Sequence, residues 1–113
     1  MTEPKSELLH GTLDMLALGV LSCGPRHGYA IAQDLQQLSD EVLQIEQGSL
    51  YPSLYRMEKR GWLKSKWGTT DKNRRARFYE LTRAGRRRLA SESSGWQQFV
   101  DAVSRVMEAT DEP

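Results

Sequence analysis

The spacing of apolar residues changes at Gly61, and this change constrains the fold more than any other feature of the chain. Before it, apolar side chains recur on a helical period; after it, two runs alternate. Leu63, Ser65 and Trp67 alternate with Lys64 and Lys66, and Arg77, Tyr79 and Leu81 alternate with Phe78 and Glu80, the two-residue period of strands. The intervening stretch from Gly68 to Arg75 is polar, which makes the pair a hairpin.

Upstream, Leu13, Leu16, Ala17, Val20 and Leu21 form one face of a helix from Thr12, stopped by Gly24-Pro25. A second helix runs from His27 to about Leu38, with Tyr29, Ile31, Leu35 and Leu38 near helical spacing, and Ser39-Asp40 ends it. Val42 to Ile45 is too short for a helix and reads as a small strand. A third helix opens at Gly48-Ser49, either residue serving as N-cap, with Pro52 in its first turn. Leu50, Leu54 and Met57 are its buried stripe, and Gly61 its stop. Three short helices followed by a hairpin make an α+β, mostly helical, winged helix-turn-helix.

Thr82 is the N-cap of a last helix whose apolar residues follow a heptad: Leu89, Trp96 and Val103 are seven apart, as are Phe99 and Val106. With no core left for it to cover, this stripe predicts a homodimer seam. Ser91 to Gly95 is weak in helix formers and predicts a bend. The expected organisation is a nucleic-acid-binding domain over residues 8–82, a dimerisation helix over 83–109, and flexible ends at 1–7 and 110–113.

Charge is segregated along the chain. Residues 48–88 hold 13 Lys and Arg against 3 Asp and Glu, a net +10, whereas residues 1–47 carry −5 and residues 89–113 carry −4. Such a basic middle attracts phosphate and points to double-stranded DNA as a partner. On the third helix, Ser49, Tyr51, Pro52, Ser53, Tyr55 and Arg56 are the candidates for major-groove contact. The competing reading packs Tyr51 and Tyr55 under the wing and leaves Arg56 solvated. On the hairpin, Lys64, Lys66, Lys72, Asn73, Arg74, Arg75 and Arg77 are candidates for phosphate or minor-groove contact, since only Asp71 interrupts the positive run at the turn.

Arg83, Arg86, Arg87 and Arg88 stand at a helix start, where the dipole disfavours cations. Either DNA phosphate or the acidic N-terminal third can answer them. Trp96 is either a core residue of the dimer seam or an aromatic wall for a small, flat, apolar effector between subunits. Cys23, His10 and His27 do not make a metal site, and no cofactor is expected, because the chain carries no phosphate-binding glycine loop, nucleophile elbow or paired catalytic carboxylates. An enzyme is therefore not expected. Met15 to Leu21 is too short to span a bilayer, so no membrane is expected. The single cysteine suits a reducing cytoplasm, and the polar start reads as a frayed leader.

The segments LHGTLDMLALGVL, GPRHGYAIAQDLQQLS, QGSLYPSLYRMEKRGWL and KNRRARFYELTRAGRRRL closely resemble the PadR family of bacterial transcriptional regulators. The resemblance covers about residues 8–106. Its most specific parts are His27-Gly28-Tyr29, Gly48-Ser49-Leu50-Tyr51-Pro52 and Arg77-Phe78-Tyr79-Glu80-Leu81-Thr82. It implies a homodimeric winged helix-turn-helix repressor, often relieved by a small molecule. Unlike longer relatives, the chain is expected to form a single helix after Thr82. The alternatives are a small-molecule sensor, and a winged-helix module for protein contacts without operator binding.

Overall fold

The computed structural model describes residues 3–111, with side chains from Thr12 onward. The elements run α1 (Glu3–Leu21), β1 (Arg26–His27), α2 (Gly28–Leu38), α3 (Gln47–Lys59), β2 (Leu63–Thr69), β3 (Arg75–Leu81) and α4 (Arg83–Thr110). The strands form one antiparallel sheet in the order β1-β3-β2. The expected winged helix-turn-helix is the fold.

α1 is the central helix, packed against α2, α3, α4 and β3. Leu13, Ala17, Val20 and Leu21 are buried as their spacing predicts, and Leu18, off that stripe, is fully buried too because the helix is covered on more than one side. Ile31 and Leu35 of α2, Leu50, Leu54 and Met57 of α3, and Leu63, Tyr79 and Leu81 of the sheet complete the core. Tyr29 and Leu38, expected on the inner face of α2, are 50% and 76% exposed.

Several boundaries differ from expectation. α1 is already helical at Glu3, so the flexible leader expected over residues 1–7 is helix from its third residue; Pro4 sits in the first turn, where its missing N–H is no loss. Residues 1, 2, 112 and 113 lie outside the described residues. Val42 to Ile45 is not a strand. The chain leaves α2 through Asp40 and Glu41, both in the left-handed region (φ 54° and 70°), and the free edge of β3 is taken instead by Arg26 and His27, which pair with Tyr79 and Phe78.

α3 begins two to three residues earlier than an N-cap at Gly48 or Ser49 would place it. Its N-cap is Glu46, whose backbone oxygen accepts from the N–H groups of Ser49 and Leu50 and whose side chain makes no capping bond. Pro52 therefore lies in the second turn, where it cannot donate to the carbonyl of the exposed Gly48. The predicted stop at Gly61 holds, with φ 82°. The hairpin pairs Leu63 with Leu81 through Thr69 with Arg75, so the connecting loop is narrower than Gly68–Arg75 and spans residues 70–74.

Thr82 caps α4 as predicted, its Oγ1 accepting from the Gly85 N–H at 3.0 Å. α4 then runs as one helix through Ser91–Gly95 to Thr110. Of the heptad residues, Leu89 is half-buried against this chain's own core. Trp96, Phe99, Val103, Val106 and Met107 are between 38% and 59% exposed. The Cα radius of gyration is 15.9 Å, against about 13 Å for a compact chain of this length, as the distal half of α4 projects from the body.

Candidate nucleic-acid interface

α3 is buried along Leu50, Ser53, Leu54 and Met57, and its opposite side presents Ser49, Tyr51, Pro52, Tyr55 and Arg56 to solvent. Because Glu46 caps the helix through its backbone, the Ser49 hydroxyl takes no partner among the described residues and stays available. Ser53 leaves the set of candidates: it is 2% exposed and donates to Oδ1 of Asp14 on α1 at 2.5 Å. Arg56 is not merely solvated, since its Nη2 donates to both oxygens of the same carboxylate at 2.9 and 3.2 Å.

The two tyrosines behave differently. Tyr55 is 62% exposed, with the Lys59 ammonium 5.3 Å from its ring centroid. Tyr51 leans across the start of α2, where a Cβ on Gly28 would come within 2.5 Å of its ring and hydroxyl. The glycine is what lets α3 lay that ring over α2. Beside it, the N-cap His27 accepts from the Ala30 N–H at 3.4 Å and sets its ring edge-on to Phe78 at 5.3 Å, joining α2 to the wing.

The wing tip is held by Thr70, whose N–H donates to the Arg74 carbonyl at 2.8 Å while its Oγ1 accepts from the Arg74 N–H at 3.2 Å. Asn73 turns the chain at φ 62°, a conformation asparagine tolerates better than most residues. Lys72, Asn73 and Arg74 are exposed there. The alternation of side chains divides the remaining bases between two faces. Lys64 and Lys66 lie opposite Glu80 and Phe78, on one face; Arg75 and Arg77 share the other with Trp67 and Thr69.

Arg77 is committed within the chain. Its Nε donates to the Ser65 hydroxyl at 2.9 Å, that hydroxyl donates to Oε2 of Glu58 at 2.6 Å, and Arg77 Nη2 lies 4.0 Å from the same carboxylate. Arg75 and Arg77 also stack on Trp67, at 4.8 and 5.4 Å from the ring. This network ties the wing to α3. Tyr79 lies next to it, and burial first, then the Glu58 carboxylate, raise its hydroxyl above the usual tyrosine range, against the opposing pull of Arg77.

Of the α4 arginines, Arg88 takes no partner from the acidic N-terminal third among the described residues. It bridges to Glu92 on its own helix at 2.6 Å and stacks on Trp62 at 4.6 Å. Arg83, Arg86 and Arg87 are exposed and have no acidic partner among the described residues. Tyr51, Arg74, Arg75 and Lys72 come together around a cleft that also draws in the N-cap His27 and Tyr29 and Gln33 of α2. Those three were missed from the sequence; the polar outer face of α2 was visible, but not that the wing folds over it. Trp96 borders a second cleft of about 450 Å³, between α1 and α4, with Thr12, Met15 and Phe99.

A basic hairpin tip beside an exposed, polar helix opening is the surface of a DNA-binding winged helix. The model of the Transcriptional regulator PadR-like family matches residues 17–91. The chain belongs to this family. Its fold superposes on the crystal structure of a PadR family transcriptional regulator from Eggerthella lenta with a TM-score of 0.79, at 33% identity, covering 95% of this chain and 91% of the other. A transcriptional regulator from Clostridium thermocellum gives 0.79 at 26% identity, covering 88% and 96%. An uncharacterized protein of Lysinibacillus sphaericus is 24% identical over 104 residues, 92% of this chain and 95% of its own length. Membership makes this PadR-like chain a DNA-binding transcriptional regulator, in a family that is regulatory and not enzymatic. No described helix is long and apolar enough to cross a membrane.

Proposed function

We propose that the chain is a homodimeric repressor that occupies an operator and blocks transcription there. α3 enters the major groove with Ser49, Tyr51, Pro52, Tyr55 and Arg56, while the wing sets Lys72, Asn73, Arg74 and Arg75 on flanking backbone, with Lys64 and Lys66 nearer the body. The observation that carries this reading is the convergence of Tyr51 from α3 with Lys72, Arg74 and Arg75 from the wing on one cleft. The exposed apolar residues of α4 from Trp96 onward pair two copies. A small, flat, apolar effector that enters between α1 and α4 beside Trp96 relieves repression by changing the spacing of the two heads. Residues 8–82 serve DNA, and residues 83–109 serve dimerisation.

The test is selection of duplexes from a random pool, followed by footprinting on the winners. A dimer on DNA protects two half-sites related by a twofold axis and centred ~34–36 Å apart or a multiple of that. Affinity falls steeply with salt, as it does whenever phosphates are neutralised. A pool that never converges, or salt-independent binding, would favour a module used only for protein contacts.

A further inference from the structure

Arg56, the single arginine within α3, touches another helix, and its partner Asp14 lies 42 residues earlier in the chain. The Asp14 carboxylate is 29% exposed and receives both the Ser53 hydroxyl and the Arg56 guanidinium. Only Nη2 of Arg56 is used; Nε and Nη1 have no partner among the described residues, and the side chain is 48% exposed. A guanidinium spreads its donors over three nitrogens in one plane, so fixing one nitrogen fixes the aim of the others. The carboxylate also cancels the unit charge that makes an arginine attractive to any phosphate.

We propose that Asp14 is a positioning residue for sequence readout: it aims the free donors of Arg56 at a base edge while suppressing that arginine's attraction to backbone phosphate. The inference rests on the operator-binding reading above and assigns a division of labour within it. Arg74 and Arg75 supply charge, and Arg56 supplies direction. Asp14 is an acid close to an anionic ligand, which by charge alone would only weaken binding. Its place becomes intelligible if the quantity it raises is the difference between the right and the wrong sequence.

The experiment measures affinity for the tightest duplex selected by the wild-type protein and for a scrambled duplex of equal composition, across a salt series. Asp14→Asn keeps an acceptor for Ser53 but removes the charge. It is expected to bind the scrambled duplex more tightly, to steepen the log affinity–log salt slope on it by up to about 1, and to lower the selected-to-scrambled ratio roughly fivefold or more. Arg56→Ala is expected to lower that ratio similarly with an unchanged slope, and the double variant to match Arg56→Ala alone. Arg56→Lys, which keeps the charge on one compact nitrogen, covers the case in which Asp14→Asn does not fold; it too should lose the ratio. If Asp14→Asn weakens both duplexes equally, the carboxylate serves packing and the inference fails while the repressor reading stands. A slope that becomes shallower in Arg56→Ala makes Arg56 a phosphate contact and overturns the inference in the same way. If selection by the wild-type chain yields no preferred duplex, the operator-binding reading itself falls, and this inference with it.

Discussion

At Gly85, a Cβ would stand 2.0 Å from the backbone oxygen of Trp62. That oxygen already accepts from the Thr82 N–H at 3.0 Å, and the Thr82 hydroxyl donates to the Gly61 carbonyl at 2.6 Å. The start of α4 is thus clasped to the corner between α3 and β2, at a distance only a glycine permits. Gly95, ten residues along the same helix, has nothing within 4 Å of its Cβ position. The same substitution should therefore act in opposite directions. Gly85→Ala forces backbone apart and is expected to cost about 2–3 kcal/mol, in the range of overpacking. Gly95→Ala removes a poor helix former from an exposed position and should add roughly 0.5–1 kcal/mol. Denaturant melts at fixed protein concentration check both signs. Equal shifts would mean that the corner has room to open.

Among the elements, the wing shows how far the sequence was legible and where it stopped. The hairpin, the Thr82 cap and the Leu50, Leu54, Met57 stripe are local patterns and appear as read, because each depends on residues within a turn or a strand pair. Ser53 fits the exposed list by type, but its partner Asp14 lies 39 residues away, and no local period reveals such a contact. The same holds for β1, two residues long, which exists only because β3 offers an edge. Arg77 looked equivalent to Arg74 and Arg75 by charge, yet Glu58 and Ser65 hold it. These differences separate the wing arginines by experiment. Replacing Arg74 and Arg75 with Ala should weaken binding to selected and scrambled duplexes alike and make the salt slope shallower by up to ~2, one per lost phosphate contact. Replacing Arg77 with Ala should change the slope less and loosen the wing instead. Salt titrations by fluorescence anisotropy distinguish the two; a full unit of slope lost with Arg77 would show that its bond to Glu58 opens on DNA.

At the scale of the molecule, the body and the projecting half of α4 have opposite characters. The basic stretch of residues 48–88 carries a net +10, whereas residues 89–113 carry −4 and the exposed apolar side chains of Trp96, Phe99, Val103, Val106 and Met107. A lone helix gains nothing by keeping such a stripe in water, and a contiguous exposed apolar patch marks an association surface. With Leu89 half-buried against this chain's core, the proposed seam starts at Trp96, whose ring already meets Phe99 at 6.1 Å. Two such helices bring like charges together, so salt should favour their pairing by screening, even as it weakens DNA binding. Sedimentation at micromolar concentration should give a dimer that persists or strengthens from low to moderate salt. Replacing Phe99 and Val103 with Glu should yield monomers that lose most of the affinity for a two-half-site operator, because the second head no longer binds from an effectively high local concentration. Affinity for a single half-site should barely change, since neither residue belongs to the reading head. A monomeric wild-type chain under these conditions would leave the apolar stripe to a different partner, and the twofold operator would lose its structural basis.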